Sequence, residues 1–185
     1  MDRLTLIDLA LFNVGWFAAV LSAAAGAAWV GVGIIIAISL WRLWALRFAT
    51  GAIVLYALAF VIGYAADLAM VLTGALEFPE RAVWPGPIAE PVPLWMPAMW
   101  INFAGALHFS LRILRGRYAL GAAVGLLGGP LAYYAGMRFG AVTLPDPLWR
   151  SSLLVGLEYL VALPLLLWIA SRAWPAPAIA PRTDQ

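Results

Sequence analysis

Apolar positions run almost unbroken along this chain in six stretches of about twenty residues, each interrupted by only one or two polar side chains. The stretches are residues 4–25, 28–44, 48–74, 95–114, 118–137 and 151–172. A helix that crosses the hydrocarbon core of a bilayer needs about 20 apolar residues, so the pattern predicts an all-α, polytopic membrane helical bundle with about six transmembrane helices. The chain reads as one bundle over residues 1–174. The remainder, 175–185, carries Pro175, Pro177 and Pro181 and reads as a disordered cytoplasmic tail.

Composition strengthens the assignment. Hydrophobic residues make up 65% of the 185 and charged residues 11%, more apolar surface than a water-soluble domain of this size can bury. The first stretch has small residues from Ser22 to Gly26, as a signal-peptide cleavage site would. Acidic Asp2 and Asp8 nevertheless flank Arg3, and Asn13 interrupts the apolar run, which points to a retained helix. In a six-span layout Arg3, Arg42, Arg47, Arg112, Arg115, Arg117, Arg172 and Arg182 fall on one side, and Arg81, Arg138 and Arg150 on the other. The positive-inside rule then places both termini in the cytoplasm. The net charge of +2 offers no nucleic-acid surface.

Missing residue types narrow the chemistry. There is no cysteine and no lysine, and His108 is the single histidine. Thiolate nucleophiles, iron–sulfur clusters, Schiff-base chemistry and a histidine-rich di-iron centre therefore lack their residues, and no cofactor or metal is expected.

The polar exceptions inside the stretches carry the remaining information. Asp67, Asn102 and Glu158 each lie about seven residues from the outer end of their stretch, which at 1.5 Å per residue is a common depth of roughly 10 Å. Tyr133 and Tyr134 reach a similar level, with Arg138 a turn above. Ionisable groups in hydrocarbon cost a few kcal/mol and seek partners, so these six residues are expected to line one outward-facing polar pocket, or else to serve as interhelical hydrogen-bond glue. In the fifth stretch Gly121, Gly125 and Gly129 form a small-residue stripe, suited to an intrachain contact or to a homodimer. Gly128, Gly129 and Pro130 then mark a helix break or kink, since proline removes the donor to the Leu126 carbonyl. His108 and Asn13 read as packing residues. The connection 75–94 holds five prolines and is expected to be extended, not helical, with Trp84, Trp95 and Trp100 anchoring it at the interface.

Several segments together resemble a family of small bacterial inner-membrane proteins of unknown function. They are Leu11-Phe12-Asn13-Val14-Gly15-Trp16-Phe17, Asp67, Pro93-Leu94-Trp95-Met96 and, most specifically, Gly128-Gly129-Pro130-Leu131-Ala132-Tyr133-Tyr134-Ala135-Gly136. The resemblance spans nearly the whole chain and implies a cytoplasmic-membrane protein, often encoded near lipid- or fatty-acid-modifying enzymes, with no assigned catalytic residues. Asn13 departs from the glutamine expected in many relatives. Trp95-Met96-Pro97-Ala98-Met99-Trp100 is loosely similar to a loop of tryptophan-rich sensory proteins, but those have five spans. The resulting expectation is binding or transport of an amphipathic, lipid-like molecule, with membrane lipid as partner. The alternatives are a noncatalytic scaffold for lipid-modifying membrane enzymes and an intramembrane enzyme using Asp67 and Glu158 as acid and base.

Overall fold

A computed structural model describes residues 3–82 and 91–173. Trp84, Pro85, Pro87, Glu90 and the tail 175–185 lie outside the described residues. The described chain is all-helical: α1 (Arg3–Ala24), α2 (Ala28–Ala45), α3 (Thr50–Leu72), α4 (Trp95–Ala106), α5 (Tyr118–Phe139) and α6 (Leu148–Ala173). Five of them, all but α4, are long and apolar enough to cross a membrane. Large side chains such as Trp29, Ile36, Val61, Leu127, Leu131 and Val161 point outward, each more than half exposed. An outer surface so apolar is stable only against lipid.

The helices pair as α1–α2, α3–α4 and α5–α6, with α4 wedged against α1, α2 and α3, and α6 closing on α3. Van der Waals fit, more than hydrophobic drive, holds helices together in lipid, and glycine sets the fit here. Gly121, Gly125 and Gly129 are buried on the face of α5 that meets α6. A Cβ at Gly125 would run into the backbone of Tyr159, and one at Gly129 would lie 2.7 Å from the Tyr159 ring. The small-residue stripe is thus occupied within the chain. At the α1–α2 crossing, Gly31 lets its backbone come so close that a Cβ would sit 2.5 Å from the Ala19 Cα, and the Gly31 N–H donates to the Ser22 hydroxyl at 3.1 Å.

Two expectations about helix continuity are corrected. The break expected at Gly128, Gly129 and Pro130 does not occur: α5 runs through Pro130 without interruption. The Leu126 carbonyl, deprived of its donor, faces Gly156 of α6, whose Cβ would lie 3.0 Å from it. The freed group is thereby packed against helix and not offered to a ligand. The interruption falls instead in the fourth stretch, where α4 ends at Ala106. Beyond it the backbone tightens to bonds spanning three residues, Leu107 to Ala104, His108 to Gly105 and Phe109 to Ala106, and a 3₁₀ turn follows at Arg112–Leu114. Twelve residues of helix rise about 18 Å, short of the roughly 30 Å of hydrocarbon.

The ends of the bundle differ. At one end, called here the loop end, the connections after α3 and after α5 meet. Glu77 and Thr143 exchange backbone hydrogen bonds of 3.0 and 2.8 Å, and the Trp95 indole N–H donates to the Ala82 carbonyl at 3.0 Å. Leu76, Ala82, Val92, Ala141 and Val142 are buried there among Trp95, Met96 and Val20. The connection is therefore a packed cap over the helix ends. It also contains a 3₁₀ turn, Glu80–Ala82, where an extended, non-helical course was expected. The opposite end holds the short turns between α2 and α3 and between Leu114 and Tyr118.

Candidate functional site

The polar residues inside the bundle fall into two groups, not one. Near the loop end, Asp67 of α3 is fully buried. It accepts a hydrogen bond from the Trp100 indole N–H of α4 at 2.9 Å and a second from the Tyr133 hydroxyl of α5. Trp100 can reach Asp67 because Gly63, one turn before it on α3, leaves room for the indole that a Cβ would take. Tyr159 of α6 stacks on Trp100, with ring centres 4.9 Å apart and planes at 26°, and meets Tyr133 edge-on at 6.0 Å. Glu158 lies within range of the Asp67 charge, and both its carboxyl oxygens are buried without a hydrogen-bond partner. Since α6 begins at Leu148, Glu158 stands ten residues into its helix, about 15 Å along it. It is deeper than the seven residues expected from sequence.

The second group lies toward the opposite end and joins α1, α2 and α4. Asp8 and Arg42 form an ion pair at 2.7 Å with neither side chain exposed. Arg42 Nη1 donates to the backbone carbonyl of Asn102 at 2.8 Å and to its side-chain oxygen at 2.9 Å, while the Asn102 amide donates to the Phe12 carbonyl at 3.0 Å. The other Asp8 oxygen accepts the Ser110 N–H at 3.0 Å and the Ser110 hydroxyl at 2.5 Å. These bonds explain how α4 can stop where it does. A backbone that leaves helical geometry at membrane depth must have its groups satisfied by protein, and Asp8 holds the Ser110 N–H that the helix no longer holds.

Of the six residues expected to share a pocket, the structure brings Asp67, Tyr133 and Glu158 together. Asn102 belongs to the Asp8–Arg42 group. Tyr134, 41% exposed, and Arg138, also exposed, lie on the outer face of α5. Asn13 donates to the Leu9 carbonyl of its own helix at 2.7 Å. Asp8 and Arg42 were read from sequence as a flanking charge and as a topology signal, and their pairing is new. Their signal is legible after the fact: opposite charges a few residues inside the same end of two neighbouring antiparallel stretches.

Between the groups lies a cavity of about 490 Å³. Phe12 and Trp16 of α1, Met96, Met99 and Phe103 of α4 and Val124 of α5 contribute to apolar walls. Trp100, Tyr133 and Tyr159 form part of its wall, which continues to Val20, Trp95, Met96 and Val142 at the loop end, and neither Asp67 nor Glu158 is in the lining. Asn13, Val124, Gly128 and Leu131 line it and are exposed on the bundle's flank. The cavity therefore opens sideways, between α1 and α5, to where lipid lies. Among the described residues no three His, Cys, Asp or Glu side chains gather as a metal ion would require.

A family model described as "Protein of unknown function (DUF2878)" matches residues 5–165, and the chain belongs to that family. No curated protein and no solved structure matches it.

Proposed function

We propose that this member of the DUF2878 family binds an amphipathic, lipid-like molecule in the side-opening cavity, within the bacterial cytoplasmic membrane. The observation that carries the reading is the cavity itself. Its volume falls in the roughly 300–1,000 Å³ range of small-molecule sites, and its mostly apolar lining with a few fixed polar groups has the composition of such sites. A hydrocarbon tail enters between α1 and α5 and lies along Met96, Met99, Phe103 and Val124. The polar end of the molecule meets Tyr133, whose hydroxyl is held by Asp67 and so presents its oxygen in a fixed position. Asp67 orients, and Tyr133 contacts. Both termini lie in the cytoplasm on this reading. With Arg42 withdrawn into the bundle, seven of the remaining arginines still fall on that side against three on the other.

The test is recovery of bound lipid. Wild-type protein purified in mild detergent retains a defined lipid species detectable by mass spectrometry, and Gly128→Phe loses it. Gly128 suits this use because it lines the cavity and a Cβ there meets nothing within 4 Å, so the added ring fills the site and not the core. Equal recovery of the same lipids with both proteins refutes the reading.

A further inference from the structure

We infer that the cavity selects an uncharged head group, a hydroxyl on a long hydrocarbon skeleton, and excludes lipids that end in phosphate or carboxylate. The inference rests on the cavity being a lipid site and adds the class of lipid. Its first ground is the charge of the lining. Among the described residues no charged side chain lines the cavity. The Arg42 guanidinium, which touches the lining residue Asn102, is turned to Asp8 and to both oxygens of Asn102, and Arg115, beside the lining residue Leu114, reaches the Leu107 carbonyl. Arg138, which a sequence reading would aim at an anionic head, is exposed on the flank of α5. A phosphate or carboxylate brought here would lose its water with no cation to meet it, the costliest way to bury a charge.

The second ground is which hydrogen-bonding capacity remains free. In the wall nearest Asp67, the Trp100 N–H and the Tyr133 O–H both go to that carboxyl. At the rim one of the two Asn13 amide N–H groups goes to Leu9, and deeper in the lining one of the two on Asn102 goes to Phe12. What stays available is uncharged and of both kinds: the second amide N–H of Asn13 as donor and its side-chain oxygen as acceptor. A site with neutral donors and acceptors and no cation recognises a group that both donates and accepts. An alcohol does so without bringing charge. An anionic head meets amide hydrogens but no cation to offset the water it has lost.

A matched pair of probes isolates the head group. Photoactivatable diazirine analogues of farnesol and of farnesyl monophosphate share one tail and differ only at the end. The full-length protein in nanodiscs is crosslinked with each, and the labelled peptides are mapped. The alcohol probe is expected to label residues 124–136 saturably, Gly128→Phe to reduce that labelling at least about tenfold, and the phosphate probe to need at least about a hundredfold higher concentration. If the phosphate labels as readily as the alcohol and Gly128→Phe abolishes both, the head-group inference is overturned and the lipid cavity stands. If neither probe labels the cavity, or labelling ignores Gly128→Phe, the cavity reading falls and this inference with it. Val124→Phe, at a second exposed lining position, replaces Gly128→Phe should that variant not fold.

Discussion

Asp8→Asn tests whether an ion pair organises the middle of this bundle. The substitution keeps the size of the side chain and removes its charge. In the native protein Arg42 Nε reaches Asp8 at 2.7 Å, and both side chains are wholly inaccessible. An arginine side chain is a permanent cation, so Asp8→Asn leaves it buried with only neutral oxygens, those of Asn102 and of the new amide, for company. Breaking a buried pair from one side costs about 3 to 5 kcal/mol. Arg42→Met is expected to cost less, because the Asp8 carboxyl left behind keeps the Ser110 N–H and hydroxyl as donors. The double variant then regains part of the loss, with a coupling of about 2 kcal/mol. Competing explanations give smaller numbers: a solvent-screened pair contributes about 0 to 1 kcal/mol, and interhelical hydrogen bonds in membranes average about 0.6 kcal/mol. The assay is a double-mutant cycle on reversible SDS-induced unfolding in mixed micelles, followed by near-ultraviolet circular dichroism. A cost below about 1 kcal/mol for Asp8→Asn, or additive losses in the double variant, refutes the buried pair and with it the account of how α4 ends.

Other substitutions separate packing from site chemistry in the same unfolding assay. Gly125→Ala forces a Cβ into the Tyr159 backbone and is expected to cost about 2 kcal/mol or more, whereas Gly128→Ala, which meets open space, stays within about 0.5 kcal/mol of wild type. Gly105→Ala places a methyl group 2.7 Å from both Arg42 Nη1 and the Tyr56 hydroxyl oxygen and should cost about 1 to 3 kcal/mol; an unchanged midpoint would mean that Arg42 does not pass there. Tyr133→Phe withdraws a donor from buried Asp67 at about 1 to 3 kcal/mol, while Tyr134→Phe, on the exposed face, leaves stability unchanged. Equal effects at the two tyrosines would contradict the orientation of α5.

The fold was largely legible because lipid imposes a simple rule on sequence. Long apolar runs must be helices, and the expected spans 4–25, 28–44 and 118–137 differ from α1, α2 and α5 by two residues or fewer at either end. Rotation about each helix axis obeys no such rule. Asp67, Tyr133 and Glu158 converge because their faces turn inward together. Asn102, at nearly the depth of Trp100, turns toward α1 and α2 instead, and Tyr134 and Arg138 turn out. Depth along an axis follows from counting residues. Azimuth follows from packing, and here packing is decided by where Gly15, Gly63, Gly105 and Gly129 admit a large neighbour.

The misplaced helix break shows the same division at work in the energetics. Pro130 is the strongest local breaker in the chain, yet α5 runs on through it, with the Leu126 carbonyl packed against Gly156 of α6. The α4 stretch has no proline after Pro97 and no glycine after Gly105 to end it at Ala106. What ends it is long-range: Asp8, about a hundred residues earlier in the chain, offers the Ser110 N–H a charged acceptor that the helix cannot match. Local propensity therefore points to α5, and tertiary electrostatics selects α4. The consequence reaches the cavity, because Leu111 and Leu114, which follow the break, line the same space as Phe12 and Phe103. The ion pair that ends α4 thus sets the arginine-rich end of the proposed lipid site, while Asp67 fixes the Trp100 and Tyr133 side chains in its wall.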